Sequence, residues 1–203
     1  SKKKVGTIGH VAATSFFPSK NLGCYGDGGA IFTNDDALAH KIRGIVNHGM
    51  YERYHHDVVG VNSRLDSIQA GVLKAKLPHL DAYNKARQDA ARKYSLALSV
   101  NPNIWVPTIC DSCDCHVFHQ YVIRIMNGKR DGLLEHLQAK GIPCAIYYPI
   151  PLHSQKAYAD SRYNEADFPV TNQLVKEVIA LPMHTELDDE QIKFITEAVL
   201  EYV

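Results

Sequence analysis

Small and apolar residues fill positions 11–17, and Phe16-Phe17-Pro18 closes the run, because proline cannot continue a central strand. A glycine-rich stretch over 23–29 follows, and Ala30-Ile31-Phe32-Thr33 reads as a short return strand. A helix is predicted over about 35–46, with Asn34 as its cap and Asp35 and Asp36 near its positive end. Residues 48–60 mix charged and aromatic positions without a period, the mark of a long loop. From Asp66 a helical pattern runs to about Leu98, with a break or kink at Pro78. Beyond it Leu80, Tyr83, Ala90, Tyr94 and Leu98 keep one face.

The second half continues the alternation. Residues 101–114 form a loop rich in Pro, Asn and Cys, and 117–125 alternates as a strand should. A helix is expected over 130–140, with Leu133, Leu134 and Leu137 inward and Gly141 as its stop. Residues 144–148 read as another strand. A last helix starts at Asp188, where Gln191 completes a capping box and Ile192, Ile195 and Val199 face the core. The pattern is that of an α/β or α+β protein without internal repeats, with a subdomain boundary near Pro78.

Composition narrows the function classes. A chain of 203 residues can bury one medium core or two small ones. Its 22 Lys and Arg balance 22 Asp and Glu, so no basic excess points to nucleic acid. No apolar run is long enough for a bilayer and no secretory signal opens the chain. Five cysteines, an odd number, then suit a reducing cytoplasm better than a disulfide framework. Ser1-Lys2-Lys3-Lys4 reads as a solvated turn or a cut end, and the missing initiator methionine allows the chain to be a piece of a longer one. Cys110-x-x-Cys113-x-Cys115-His116, with His119 beyond, carries enough soft ligands for zinc. Its spacing is not that of a finger or ribbon and His119 falls on the predicted strand, so no metal is expected.

The densest chemistry lies in Ser15-Phe16-Phe17-Pro18-Ser19-Lys20-Asn21-Leu22-Gly23-Cys24-Tyr25-Gly26-Asp27-Gly28-Gly29-Ala30. A lysine in a strand-to-turn segment, with hydroxyls one and five residues before it, can present an amine and phosphate-binding donors together. Apolar flanks help keep such an amine neutral and nucleophilic. The glycines allow close approach of backbone to a ligand. Local chemistry alone still favours an ordinary turn lysine. A Walker phosphate loop is excluded, since no Gly-Lys-Ser/Thr follows the glycines.

The string resembles the cofactor-lysine signature of the DegT/DnrJ/StrS family of sugar aminotransferases. The similarity continues through Asn47-His48-Gly49, Gly60-Val61-Asn62-Ser63-Arg64-Leu65-Asp66-Ser67-Ile68-Gln69-Ala70, His119-Gln120-Tyr121 and Arg130-Asp131. It reaches Tyr148-Pro149-Ile150-Pro151-Leu152-His153-Ser154-Gln155 and Leu181-Pro182-Met183-His184, in order along the whole chain. The resemblance implies a type I aminotransferase fold, with residues 1–78 ending the large cofactor-binding domain and 79–203 forming the small C-terminal α/β domain. It implies that Lys20 holds pyridoxal 5'-phosphate as a Schiff base and then moves a proton between substrate and cofactor. Ser15 would hydrogen-bond the cofactor phosphate, and Ser19 would sit beside the lysine and reach the substrate. Asn62 resembles the asparagine that reaches a phosphate in the neighbouring subunit's site, which implies a homodimer with shared active sites. Arg64 matches a position that contacts the nucleotide-sugar substrate, as a guanidinium suits a diphosphate or a carboxylate. Apart from the family, Asn62 and Arg64 read as a cap and a surface ion pair.

Tyr147 and Tyr148 occupy the place of substrate contacts before a proline, although many members have His-Tyr-Pro there. His153 reads either as a sugar contact or as a packed, hydrogen-bonded histidine. The implied reaction transfers an amino group, from glutamate, to a keto group of a nucleotide-linked sugar for surface glycan synthesis. Within the family the motifs lean toward UDP-linked 3-keto hexuronic acids. The family's acidic partner of the pyridine nitrogen would fall before Ser1, so the isolated 203 residues are expected to transaminate poorly. A non-catalytic or regulatory protein on the same fold is the alternative, whereas a dehydratase of the family would have histidine in place of Lys20.

Overall fold

The two apolar runs that flank the glycine-rich stretch pair with each other. In the computed structural model, which describes residues 4–109 and 116–203, β1 (Ala12–Ser15) and β2 (Gly29–Phe32) are antiparallel, with Ala12 opposite Phe32 and Ser15 opposite Gly29. Cys110, Cys113 and Cys115 of the zinc reading lie outside the described residues. The chain divides into two compact units, Ser1–Leu80 and Asp81–Val203.

In the first unit, β2 leads into α1 (Asp36–Val46). Its cap is Asp35, not Asn34: the Asp35 carboxylate accepts the Leu38 N–H at 3.0 Å, three residues on, where capping geometry requires it. Within 48–60, expected as loop, a short hairpin forms from β3 (Met50–Glu52) and β4 (His55–His56). It packs on α1 through Tyr51, whose ring stacks on His40 with centroids 4.7 Å apart. The predicted long helix is interrupted where Pro78 removes a donor. The first piece, α2 (Ser67–Lys76), starts at Asp66, whose carboxylate accepts Gln69 N–H at 2.8 Å, and gives way to a 3-10 turn over Leu77–His79.

The second unit is built on α3 (Leu80–Leu98) and a three-stranded antiparallel sheet. Its strands are β5 (Ile104–Trp105), β6 (Tyr121–Ile125) and β7 (Val178–Leu181), in that order. On β6, Tyr121, Ile123 and Ile125 point into the core while Val122 and Arg124 face the other way, the alternation of a sheet covered differently on its two sides. The core side is filled by α3, α4 (Arg130–Ala139) and α6 (Asp189–Tyr202), with Tyr94, Leu98, Leu133, Leu137, Ile195 and Val199 buried against the strands. α5 (Pro169–Glu177) packs near the opposite side of β6. Asp188 and Gln191 form the expected capping box at the start of α6.

Two expectations shift, at His119 and at 144–148, and one buried charge is new. β6 begins only at Tyr121, so His119 lies in the bend before the strand and not on it. Residues 144–148 form no strand: Pro143 and Pro149 bracket the segment, and its pairing is a single bridge from Ala145 to Ala180. Arg87, on the inward stripe of α3, is buried and donates to the carbonyls of Phe118 (3.1 Å), His119 (3.2 Å) and Met183 (3.2 Å), tying the strand-entry loop to the helix. Among the described residues no helix is long and apolar enough to cross a membrane.

Two buried tyrosines make the second unit sensitive to alkali. The rings of Tyr94 and Tyr121 stack at 5.0 Å; Tyr94 donates to the Pro182 carbonyl at 3.0 Å, and Tyr121 OH lies 2.8 Å from Ser95 Oγ. Burial pushes the Tyr121 phenol up to about 12, against the opposing Ser95 hydrogen bond, and burial raises that of Tyr94 as well. Since the folded protein holds these protons more tightly than the unfolded chain, the stability is complete below about pH 10 and falls as pH rises toward about 12. The urea midpoint is therefore expected to drop between about pH 10 and 12, and less steeply in Tyr121→Phe. Equal slopes for both proteins would contradict this account.

Candidate active site

β1 and β2 carry between them the loop that holds Lys20, and the loop is closed at its base by backbone alone. Phe16 N–H donates to the Gly28 carbonyl at 2.7 Å, and Cys24 N–H donates to the Phe16 carbonyl at 2.7 Å. Inside this ring, Lys20 N–H donates to the Phe17 carbonyl at 2.8 Å, so the lysine sits at the end of a tight turn begun by Pro18. Two glycines make the closure possible. A Cβ on Gly23 would stand 2.5 Å from the Pro18 oxygen, and one on Gly28 would stand 2.8 Å from Cys24 Sγ and 3.0 Å from Leu65 Cδ1. Cys24 is fully buried under the loop, and Lys20 is half-buried.

The neighbouring hydroxyls have distinct surroundings. Ser15 Oγ accepts the Phe17 N–H at 3.1 Å, which leaves its own O–H to donate outward. Ser19 is exposed beside the lysine. An amine and two hydroxyls thus share one loop, a donor set that fits pyridoxal phosphate: the amine for its carbonyl and Ser15 for its phosphate.

Asn62 and Arg64 are laid down by the end of α1. Val61 N–H donates to the Ile45 carbonyl (2.8 Å), Ser63 N–H to that of Val46 (2.9 Å), and Asn47 and Asn62 form an isolated bridge. Arg64 Nε donates to Asn62 Oδ1 at 3.3 Å, and among the described residues Arg64 forms no salt bridge. Asn62 therefore orients the guanidinium; it caps no helix. Arg64 also lines an open cavity of about 550 Å³ with Thr14, Asp27, Gly28, Ser63 and Leu65.

Tyr147, Tyr148 and His153 belong to the second unit. Tyr148 is 72% exposed, and its ring centroid lies 5.5 Å from that of Tyr147. His153, in a 3-10 turn over Leu152–Ser154, stacks on Phe168 at 4.3 Å and 14°, while its Nε2 is buried without a hydrogen-bond partner. The packed reading of the ring holds, but the hydrogen-bonded half of it does not. Among the described residues, no group of three or more His, Cys, Asp or Glu is placed to hold a metal.

Lys20, Ser15 and Ser19 thus share one loop, and Asn62 and Arg64 contact each other on the following segment of the same unit. Two side chains that touch this loop escaped the reading of the sequence: Gln69 Oε1 accepts from Tyr25 N and Gly26 N, both at 2.9 Å, and Lys76 Nζ donates to the Gly23 carbonyl at 2.8 Å. Their spacing of two helical turns on α2 was the available signal.

The model of the DegT/DnrJ/EryC1/StrS aminotransferase family matches residues 1–200. A "pleiotropic regulatory protein" of Geobacillus stearothermophilus is 45% identical over 202 residues, 98% of this chain and 54% of that one. A UDP-2-acetamido-2-deoxy-3-oxo-D-glucuronate aminotransferase of Pseudomonas aeruginosa is 47% identical over 197 residues, 97% of this chain and 53% of that one. Among solved structures, S. venezuelae DesV in complex with a ketimine intermediate matches with a TM-score of 0.89 and 39% identity, over 98% of this chain and 53% of that one. The chain spans about half the length of the curated relatives it matches.

The loop's glycines give a direct test of this geometry. Gly23→Ala is expected to cost about 1–3 kcal/mol, because the new methyl meets backbone oxygen that cannot swing aside. Gly71→Ala, on α2 with nothing within 4 Å of the added carbon, is expected to gain about 0.5–1 kcal/mol. Urea unfolding of both variants measures the contrast, and a neutral Gly23→Ala would mean that the loop is looser than described.

Proposed function

The chain belongs to the DegT/DnrJ/EryC1/StrS aminotransferase family, and on that premise we propose that the protein it comes from transfers an amino group to a keto group of a nucleotide-linked sugar, with pyridoxal phosphate held by Lys20. The observation that carries the reading is the loop itself: a half-buried lysine in a backbone-closed turn, with Ser15 and Ser19 beside it. When bound, pyridoxal phosphate supplies an electron sink for the carbon that exchanges its amino group. Lys20 Nζ would hold the cofactor carbonyl and, once released, carry a proton to and from the reacting carbon. Ser15 Oγ would donate to the phosphate, and Ser19 would face the substrate.

Arg64, held by Asn62, would take the diphosphate of the sugar nucleotide, since a planar guanidinium binds two oxygens at once. Asn62 would reach a phosphate in the site of a partner subunit, making the working unit a homodimer. His153 Nε2, buried and without a partner, is a group that a sugar hydroxyl would satisfy, and Tyr147 and Tyr148 would flank it. Glutamate is the proposed amino donor, and the cytoplasm the proposed compartment. Residues 1–78 would end the large domain and 79–203 form the small one. The identity to the Pseudomonas aeruginosa enzyme favours a UDP-linked 3-keto hexuronate as substrate.

A second reading has its own support, because a relative 45% identical carries the name of a regulatory protein. One titration separates the two. The full-length protein, mixed with pyridoxal phosphate, is expected to develop the visible band of a lysine-bound cofactor, which glutamate bleaches and Lys20→Ala abolishes. Turnover with a panel of nucleotide keto-sugars then identifies the acceptor. No band, or a band that persists in Lys20→Ala, would overturn the enzymatic reading.

A further inference from the structure

The limb of the loop that follows Lys20 has no backbone partner for its outermost donors. The base is closed by Phe16, Cys24 and Gly28, but the N–H groups of Tyr25 and Gly26 take no part in that closure, and the Tyr25 side chain, 77% exposed, anchors nothing in the core. Both donors converge on one atom, Gln69 Oε1, at 2.9 Å each. A carboxamide oxygen has two lone pairs, so this one side chain satisfies both. Seven residues on along α2, and so on the same face, Lys76 Nζ donates to the Gly23 carbonyl at 2.8 Å and lies 5.0 Å from the centre of the Tyr25 ring. Between them Leu73 is buried.

The fit is close on both sides. A Cβ on Gly26 would stand 3.2 Å from Gln69 Nε2, so the backbone approaches the amide as nearly as only glycine comfortably allows. Gln69 is itself fixed, since its own N–H is the one that the Asp66 cap takes at 2.8 Å. The chain from Asp66 to Gln69 to Tyr25 and Gly26 thus runs from a helix start to the limb three residues past Gly23, whose other neighbours are the Phe17 and Pro18 carbonyls of the lysine turn.

We propose that Gln69 is a positioning residue for Lys20: by gripping Tyr25 and Gly26 on one oxygen, it sets the loop, and with it the direction in which the lysine amine is presented. The inference rests on the reading of Lys20 as the cofactor lysine. Gln69 touches neither cofactor nor substrate in this role; it acts through the backbone. Its removal should misplace the amine rather than weaken substrate binding, and a misplacement of about 1 Å is enough to slow a reaction about a hundredfold.

The test compares Gln69→Leu, which keeps the bulk and loses the acceptor, with Gln69→Glu, whose ionised carboxylate accepts both N–H groups at neutral pH. In the full-length protein with pyridoxal phosphate, Gln69→Leu is expected to lower kcat about tenfold to a hundredfold with little change in KM for the amino donor, and Gln69→Glu to restore kcat to within about threefold of wild type. Hydrogen exchange, read without any substrate, should show the Tyr25 and Gly26 amides exchanging faster in Gln69→Leu and protected again in Gln69→Glu. If Gln69→Leu does not fold, Gln69→Asn, whose shorter arm withdraws the oxygen, takes its place with the same expectations. Faster exchange with unchanged kcat would overturn the proposal, and so would a loss of kcat that Glu does not restore. Lys20→Ala is run alongside: if it keeps the cofactor band and turnover, the reading of Lys20 has failed, whereas if only the Gln69 contrast is missing, the positioning role alone has failed.

Discussion

The closure of one loop by three peptide groups governs what the first unit can do. Phe16 uses both its N–H and its carbonyl, to Gly28 and from Cys24, and the turn that carries Lys20 hangs inside that ring. A ring so small leaves no room for side chains where its limbs cross, and the sequence answers with Gly23 and Gly28 at the two crossings. Backbone hydrogen bonds of this kind each add only about 1 kcal/mol net, so the loop's definition comes from their geometry together with close packing over buried Cys24. Placing a reactive amine needs this sort of over-determined backbone more than it needs strength.

The rest of the first unit supports that loop from outside. β1 and β2 hold its ends in register. The end of α1 receives the Val61 and Ser63 amides and so lays out Asn62 and Arg64. α2 faces the loop with Gln69, Leu73 and Lys76, one polar grip at each end of a buried leucine. The second unit obeys a different logic, a sheet with helices packed over the side that holds Tyr121, Ile123 and Ile125. Several of its buried polar groups make internal ties, such as Arg87 Nη1 and Tyr94 OH, while His153 Nε2 is among the buried atoms left without a partner.

Much of this was legible in the order of residues, for identifiable reasons. The capping box at Asp188 and Gln191 and the break at Pro78 are local chemistry, and local chemistry reads well. Asp35 outcompeted Asn34 as cap by one position, a difference that spacing alone does not resolve. β7 was missed because Val178-Ile179-Ala180-Leu181 is a short, continuous apolar run with no alternation, which periodicity cannot tell from a loop or a helix end. Residues 144–148 failed as a strand because the prolines on either side limit the pairing to one bridge. The role proposed for Lys20 rests on the ordered string of matched motifs, since its local chemistry is that of many turn lysines. Gln69 stood inside that string, but its grip on Tyr25 and Gly26 spans more than forty residues and needed the fold to be seen.

The central claim is that Lys20, of all the lysines in the chain, carries the cofactor. Reduction of the pyridoxal-phosphate-loaded full-length protein with borohydride, followed by peptide mass spectrometry, tests it directly. The account predicts the phosphopyridoxyl mass on the peptide containing Lys20 and on no other. The same mass on a different lysine, or its absence from the Lys20 peptide, would contradict it.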